Sequence, residues 1–361
     1  MRAIECWQMT AVGQPMQSVR TAVPSLTAED VLVRVVGCGV CHTDLGFLYD
    51  GVRTVQALPL TLGHEISGVV EATGANFEAL LGKAVIVPAV LPCGECELCR
   101  KGRGTICRQQ KMPGNHINGG FASHLVVPAR YLCEVEVANE HTAFGNSGVT
   151  LRELSVIADA VTTPYQAVKN SGLTRGDFAI FIGAGGIGGF GVQIAHALGA
   201  TVVALDIDER KLSLLSQYGA ALTLNPKTLD KKALRQTLQN FAKENSLPPV
   251  EWKIFETSGT KAGQELAFSL LTHGATLSVV GFTMDTLELR LSNLMAFDAR
   301  AIGNWGCDPK YYPEVIALVG EGKIKLAPFV QTFPLREINA VFERVHQREL
   351  DKRPVLVPDF E

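Results

Sequence analysis

The 361-residue chain lacks an excess of charge of either sign. It carries 33 Lys and Arg residues against 36 Asp and Glu residues, for a formal net charge of −3. A nucleic-acid-binding protein is expected to show a clustered basic excess, and a protein held at a membrane surface a polybasic run. Neither is present, so we expect no nucleic-acid partner and no membrane partner.

Signals for export and for membrane insertion are also missing from the sequence. The first residues, MRAIECWQMT, contain no apolar core followed by a small-residue cleavage site, so we expect no secretory signal and a cytoplasmic location. Residues 178–205 contain no Asp, Glu, Lys or Arg, but their many glycines favour buried strand, turn and helix over a membrane span. The cysteine count of nine is odd, which favours metal ligation over disulfide pairing.

The chain is long enough for two domains. Its first ~150 residues are rich in short β-branched runs, at 31–36, 66–72 and 84–87. From about residue 155 onward, strand-like runs alternate with helical patterns; these runs span 178–182, 201–205, 252–256 and 275–280. Buried strands that alternate with helices predict a parallel sheet, and so an α/β fold with a β-rich part before it.

Four cysteines stand close together in the spacing C-x₂-C-x₂-C-x₇-C: Cys93, Cys96, Cys99 and Cys107. Four thiolates in one loop can close a tetrahedral shell around Zn²⁺. A closed shell has no open position for a substrate, so this cluster predicts a structural zinc site.

A glycine-rich turn follows the strand-like run 178–182 and opens a helix. It contains Gly183, Gly185, Gly186, Ile187 and Gly188. In this context the turn predicts a dinucleotide site, with the pyrophosphate at the helix N-terminus and Asp206, at the end of the next strand, accepting hydrogen bonds from the ribose hydroxyls. The charge of Asp206 would repel a 2′-phosphate, which favours NAD over NADP. The alternatives are a turn that only packs the helix on the sheet, and a solvated Asp206.

A second metal constellation involves Cys41, His64 and Glu65, which lie at the ends of separate strand-like runs. A thiolate and an imidazole can supply two ligands of an open zinc site. Each residue also has a plainer interpretation, because cysteine is often a small buried hydrophobe and Gly-His-Glu can be a turn.

The order of the motifs resembles the zinc-dependent, medium-chain alcohol dehydrogenase family over almost the whole chain. The resemblance depends on Cys-His-Thr-Asp at 41–44, Gly-His-Glu at 63–65, Gly-Gly-Phe-Ala at 119–122, Asp-Ala-Val-Thr-Thr-Pro-Tyr at 159–165, the four-cysteine loop and the glycine-rich turn. It implies a GroES-like catalytic domain (1–155), a doubly wound Rossmann NAD-binding domain (156–300) and a return to the catalytic domain (301–361).

The same resemblance implies alcohol oxidation with hydride transfer to NAD, and two zinc ions per chain. The catalytic zinc would be held by Cys41, His64 and Asp159. Glu65 would be an adjacent carboxylate that can transiently reach the metal, and Thr43 would connect the substrate hydroxyl to a proton relay. Asp159 as a plain surface acid, and Glu65 as a purely structural partner, are the alternatives.

One departure from the family pattern concerns the proton relay. Gly46 stands where a relay histidine is common. The proton would then leave through water, through ribose hydroxyls of the cofactor or through His42, although His42 also matches a position that contacts cofactor phosphate.

On the cofactor side, the resemblance implies that Lys211 lies near the adenosine ribose and that Arg353 contacts the pyrophosphate. Phe282 would belong to the segment that lines the nicotinamide pocket. Lys211 and Arg353 can also be read as ordinary surface charges, which is the commoner fate of Lys and Arg.

The substrate prediction depends on segments 110–121 and 130–133. These resemble the branch of the family that oxidises 6-hydroxycyclohex-1-ene-1-carbonyl-CoA to its 6-oxo product in anaerobic benzoyl-CoA degradation. An acyl-CoA ester needs cations for its phosphates, and the candidates are Arg53, Lys101, Arg103, Arg300 and Lys310. The alternative substrate is a free small alcohol or polyol.

Metal-free quinone and enoyl reductases of the same superfamily should lack Cys41, His64 and the four-cysteine loop, and a non-catalytic module would need only one of the two kinds of site. By resemblance alone we also expect a homodimer or homotetramer, with Rossmann sheets paired edge to edge near residues 275–282.

Overall fold

A computed structural model describes residues 3–360, which form two compact units. The first unit joins the residues up to Thr162 to those from Gly306 onward, and the second spans Thr163–Trp305. The chain therefore passes between units after residues 162 and 305, where the sequence predicted 155 and 300. Among the described residues, no helix is long and apolar enough to cross a membrane.

The regular elements follow one another along the chain. The strands are β1 (Ala3–Met9), β2 (Gln17–Ala22), β3 (Asp30–Gly39), β4 (Leu60–Thr61), β5 (Glu65–Thr73), β6 (Ala84–Val87), β7 (His124–Pro128), β8 (Cys133–Glu134), β9 (Phe178–Ile182), β10 (Thr201–Leu205), β11 (Ala220–Leu224), β12 (Lys253–Glu256), β13 (Thr276–Val279), β14 (Arg300–Gly303), β15 (Val330–Pro334) and β16 (Arg353–Val357). The α-helices are α1 (His42–Leu48), α2 (Glu97–Arg100), α3 (Thr162–Asn170), α4 (Gly188–Ala197), α5 (Glu209–Leu215), α6 (Lys231–Glu244), α7 (Lys261–Ser269), α8 (Ser292–Ala296), α9 (Tyr312–Gly320) and α10 (Ile338–His346).

The first unit is built around β3, whose valine-rich sequence suits a strand that is buried along most of its length. This strand pairs antiparallel with β5, β7 and β16. The sheet runs in the order β15-β16-β3-β5-β6-β8, with β7 also on β3, and a smaller sheet runs β2-β1-β4. The C-terminal strand β16 thus lies beside the strand that leads to Cys41.

The second unit contains a wholly parallel sheet in the order β11-β10-β9-β12-β13-β14. Its central strand β9, Phe-Ala-Ile-Phe-Ile, is buried at every position, as expected for a parallel strand covered on both faces. Chain order reverses at β9, since β10 lies on one side and β12 on the other. Such a reversal opens a crevice at the carboxyl ends of the strands, which is where the glycine-rich turn begins.

The sequence predicted the strands that carry the motifs and their limits to within a few residues. The predicted run 84–87 is β6, 178–182 is β9, and 201–205 is β10. The α/β class with a parallel sheet is confirmed. Elements that no motif had marked, among them β11, α6 and β14, complete the parallel sheet and its helical cover.

Candidate functional site

Cys41 is held at the start of α1 by the helix-capping contacts of its own backbone. It is the N-cap residue, with extended backbone angles, and its amide donates to Asp44 Oδ2 at 3.0 Å. This is the return half of a capping box, in which the third helical residue reaches back to the cap. The Cys41 side chain is buried, so its sulfur has a fixed direction.

His64 lies between β4 and β5, directly after Gly63. Gly63 has φ +96°, and a Cβ there would lie 2.7 Å from Cys38 Sγ, so the position requires glycine. The Gly63 amide donates to Asp44 Oδ1 at 3.1 Å, and His64 Nδ1 lies 3.4 Å from the same oxygen. The buried Asp44 carboxylate therefore fixes the amide of Cys41 and the amide of Gly63, directly before His64. It also orients the imidazole so that Nε2 points away from Asp44.

Asp159 completes the group. It follows a 3₁₀ helix, Glu153–Ala158, and its Oδ2 lies 3.5 Å from His64 Nε2 and 3.7 Å from Cys41 Sγ. One potential ligand atom from each of Cys41, His64, Glu65 and Asp159 lies within 4.8 Å of the others. A thiolate, an imidazole and a carboxylate around one point are a donor set that suits zinc.

The electrostatics of this group favour a cation. Burial alone would lower the pKa of His64, but the carboxylates of Asp44 and Asp159 raise it well above its usual value. The protein's own groups thus stabilise positive charge at a fully buried position. The same groups would stabilise a bound divalent cation.

Glu65 forms a buried ion pair with Arg353. Arg353 Nε donates to Glu65 Oε2 at 2.8 Å and Nη2 donates to Oε1, while the Ala160 amide donates to Oε1 at 2.9 Å. Burial alone would lower the pKa of Arg353, but the Glu65 carboxylate reverses this and raises it, so the guanidinium stays charged. Gly39 makes room for the pair, because a Cβ there would lie 2.0 Å from Glu65 Oε2.

The predicted proton-relay residues lie on α1. The hydroxyl oxygen of Thr43 is 3.7 Å from Cys41 Sγ, and His42 is exposed at the first position of the helix. Gly46 is buried, and a Cβ there would touch Val52 at 3.5 Å, an ordinary contact. Sterics at the Cβ therefore do not account for the glycine at this position.

The four cysteines of the loop form a compact cluster in the first unit. The sulfur–sulfur distances are 3.5 Å for Cys93–Cys107 and Cys96–Cys99, 3.7 Å for Cys96–Cys107 and 3.9 Å for Cys93–Cys99. A tetrahedron with Zn–S bonds of 2.3 Å has edges of about 3.8 Å, so the cluster has zinc dimensions. All nine cysteines are free thiols, and disulfide pairing is thus excluded within this structure.

Without a bound cation, the thiols of the cluster differ in their pKa values. The backbone N–H of Cys99 lowers the pKa of Cys96 to about 6, whereas desolvation raises the pKa of Cys99 to about 12. Backbone amides also point at the sulfurs, with Glu95 N and Cys96 N each 3.4 Å from Cys93 Sγ. These donors stabilise thiolates, and a bound metal would deprotonate the remaining thiols.

The glycine-rich turn in the second unit has the form of a phosphate cradle. Gly183 has φ +96°, and a Cβ there would lie 2.6 Å from the backbone of Ser258; a Cβ at Gly188 would lie 1.8 Å from the Gly183 carbonyl oxygen. Gly185 has open space around its missing side chain, and the neighbouring Gly186 is exposed. Gly183 and Gly188 are therefore required by close packing. At Gly185, Gly186 and Ile187 the backbone is accessible at the start of α4.

Three of the other predicted cofactor residues also lie on the second unit, whereas Arg353 lies on β16 of the first unit. Asp206 follows β10, and its Oδ2 accepts from the Ala184 amide of the glycine-rich turn at 2.6 Å. Lys211 is partly exposed on α5, and Phe282, after β13, is 71% exposed. The structure thus joins Asp206 directly to the turn.

Two contacts of the site went unpredicted. Asp44 was recognised as part of a motif but given no role; its spacing of three residues from the helix cap is the signal that would have found it. The pairing of Glu65 with Arg353 has no local signal, because the two residues are 288 positions apart.

Breaking the Glu65–Arg353 pair should destabilise the first unit. Glu65→Gln leaves a buried guanidinium without its counter-charge, and Arg353→Met leaves a buried carboxylate. Each should lower the free energy of unfolding by about 3–5 kcal/mol, while the double variant should regain much of the loss. Urea-induced unfolding measures this.

The matched control is Glu321→Gln, which removes an exposed ion pair with Lys323 and should change stability by less than about 1 kcal/mol. A Glu65→Gln protein as stable as the parent chain would show that the buried pair has no such role.

Comparison with known proteins agrees with this geometry. Residues 27–137 match the family described as alcohol dehydrogenase GroES-like domain, and residues 186–321 the family described as zinc-binding dehydrogenase. An alcohol dehydrogenase of Geobacillus stearothermophilus is 31% identical over 348 residues, which cover 96% of this chain and 97% of that protein.

Solved structures give the same result. The alcohol dehydrogenase of Aeropyrum pernix has a TM-score of 0.85 at 27% identity, with 98% of this chain and 100% of that chain covered. Galactitol-1-phosphate dehydrogenase from Escherichia coli has a TM-score of 0.86 at 24% identity, with the same coverage, and supports the fold alone. The predicted combination of a GroES-like and a Rossmann domain is confirmed.

Proposed function

The chain belongs to the zinc-dependent medium-chain alcohol dehydrogenase family, and we propose that it oxidises a secondary alcohol to a ketone with hydride transfer to NAD. The observation that carries this proposal is the group formed by buried Cys41 and His64 with partly buried Asp159, a zinc donor set distinct from the four-cysteine cluster of the same chain. A metal-free reductase needs neither group.

The proposed metal assignments follow from the donor sets. Cys41, His64 and Asp159 would hold the catalytic zinc, and Cys93, Cys96, Cys99 and Cys107 the structural zinc. Bound at the first group, zinc supplies a Lewis acid that polarises the substrate oxygen. The chain contributes the orientation of that group, because Asp44 fixes the Cys41 and Gly63 amides and contacts the His64 ring.

Thr43 is the proposed proton carrier at the substrate hydroxyl, supported by its position beside Cys41 Sγ. Beyond Thr43 the route has no histidine at position 46, so we assign the next step to water, cofactor ribose hydroxyls or His42. Glu65 would act chiefly by holding its neighbours in place, since both of its oxygens already accept hydrogen bonds from Arg353 or Ala160. Contact of Arg353 with pyrophosphate is proposed by resemblance.

For the cofactor, we propose that the amides of the glycine-rich turn and the start of α4 bind the pyrophosphate of NAD. The open space at Gly185 supports this, because a phosphate needs close approach to backbone. Asp206 beside the turn supports NAD over NADP, since its charge would repel a 2′-phosphate. Lys211 and Phe282 are assigned to the adenosine ribose and the nicotinamide by resemblance.

Cys41→Ser should distinguish the two proposed zinc sites. We expect one of two zinc ions per chain to be lost and turnover to fall more than roughly 100-fold, with NAD affinity changed less than about twofold. Elemental analysis, NADH absorbance and NAD titration measure these quantities. The control is Cys133→Ser, a mostly buried thiol outside both metal groups. If Cys41→Ser kept two zinc ions and full turnover, the catalytic assignment would be wrong.

For the substrate, we propose a cyclic secondary alcohol carried on coenzyme A, with a free small alcohol as the alternative. Support for the CoA ester, specifically 6-hydroxycyclohex-1-ene-1-carbonyl-CoA, is the sequence of segments 110–121 and 130–133. The structure reduces the weight of that support. Gly119 N, Gly120 N and Phe121 N donate to the backbone carbonyls of Thr61, Gly63 and Leu62, so much of this segment braces the loop before His64 whatever the substrate.

Competition between substrates tests this choice. If the substrate is a CoA ester, it should be oxidised with a kcat/KM at least about tenfold above that of the matching free alcohol, and Arg53→Ala or Arg103→Ala should raise its KM alone. Lys101, Arg300 and Lys310 already contact Glu97, Thr276 and Asp308 respectively, and their replacement serves as the control. Equal competition by free alcohols would remove the CoA proposal and retain the dehydrogenase.

A homodimer through the second unit is the proposed assembly. Several large apolar side chains of one segment are exposed, namely Met284, Leu291 and Met295, and β14 is an edge strand of the sheet. An apolar patch beside a free strand edge is a typical site for pairing with a second copy.

Charge on this patch should disrupt the dimer. Met295→Asp should shift the mass in light scattering from dimer to monomer, because a buried unpaired carboxylate is costly. Val12→Asp, an exposed apolar position on the first unit, is the control and should leave the mass unchanged. A parent chain that is monomeric at micromolar concentration would contradict the assembly.

A further inference from the structure

The backbone around Asp159 is held by side chains rather than by regular structure. Asp159 has φ −142° and ψ −56° and ends the 3₁₀ helix. On its C-terminal side, the Ala160 amide donates to Glu65 Oε1 at 2.9 Å. On its N-terminal side, the Ala158 carbonyl accepts from the hydroxyl of Tyr312. The direction of the Asp159 side chain therefore depends on contacts made far away in sequence.

Tyr312 is well suited to fix this peptide. It is fully buried at the first position of α9, and its hydroxyl also accepts from the Ala89 amide at 3.3 Å. Burial raises the pKa of Tyr312 well above its usual value, so the hydroxyl keeps the proton that it donates. The Ala89 amide alone is a weaker substitute, because it lies 3.4 Å from the Ala158 carbonyl oxygen.

We propose that Tyr312 is a positioning residue for the candidate catalytic metal: its hydroxyl fixes the Ala158–Asp159 peptide and so sets the Asp159 carboxylate against Cys41 and His64. The inference rests on the proposed function, since it takes Asp159 as a ligand. The position of the Asp159 carboxylate is sensitive to the peptide before it. Its Oδ2 lies 3.5 Å from His64 Nε2 and 3.7 Å from Cys41 Sγ, and a rotation of that peptide would change both distances. Groups that orient ligands in this way commonly contribute about 10- to 100-fold to metal affinity.

Tyr312→Phe tests the hydroxyl alone, since the ring and its packing remain. Full-length protein is prepared with zinc in the four-cysteine cluster and Co²⁺ at the second group, and the cobalt dissociation constant is measured by chelator competition while the visible spectrum reports ligand geometry. We expect Tyr312→Phe to raise that constant about 10- to 100-fold and to shift the cobalt bands. Zinc in the four-cysteine cluster should stay.

The matched control is Val315→Ala, which truncates a fully buried side chain of the same helix and keeps the Tyr312 hydroxyl. It should lower the thermal midpoint and leave the cobalt constant within about twofold of the parent. An unchanged constant and spectrum in Tyr312→Phe, or equal weakening in Val315→Ala, would overturn the positioning role. Asp159→Asn distinguishes the role of Tyr312 from the assignment of Asp159 as a ligand. If Asp159→Asn binds cobalt normally, both the ligand assignment and the inference fail. Weak binding in Asp159→Asn with normal binding in Tyr312→Phe rejects the role of Tyr312 only.

Discussion

The Asp44 carboxylate is the constraint on which the candidate metal group depends. It is fully buried, and such a charge is tolerated only with several hydrogen-bond donors around it. Here the donors are the Cys41 and Gly63 amides, with the His64 ring in contact. The requirement that Asp44 be hydrogen-bonded thus fixes two candidate ligands at once, Cys41 at a helix start and His64 in a loop between strands.

The rest of the group explains why the first unit includes the end of the chain. Arg353 on β16 neutralises Glu65, Glu65 holds the Ala160 amide, and Tyr312 on α9 holds the Ala158 carbonyl. A domain that stopped at residue 162 would contain Cys41, His64 and Asp159 but would lack both outer supports of the Asp159 turn. The return of the chain is therefore part of the candidate metal site.

Local spacing made much of this predictable and long-range pairing did not. The four cysteines, the glycine-rich turn and Asp206 are motifs whose chemistry is contained in a few consecutive residues or in one strand–helix unit, so sequence alone predicted their grouping. The residues themselves suggested Cys41 and His64 as two ligands of an open zinc site, whereas Asp159 required the family resemblance, because nothing local says that it meets the other two. Arg353 shows the limit: the resemblance implies a contact with pyrophosphate, but no sequence signal predicted its buried ion pair with Glu65, 288 residues away in sequence.

The same distinction explains why the substrate is harder to infer than the reaction. The residues of segment 110–121 that resemble a CoA-ester enzyme include Gly114, Gly119 and Gly120, and a Cβ at any of them would collide with atoms of the 62–66 loop and strand or with Cys38. A glycine required by close backbone packing says nothing about what the enzyme oxidises. Substrate information must instead reside in side chains that point into open space and contact neither backbone nor metal ligands, and such positions have no fixed spacing for a sequence motif to preserve.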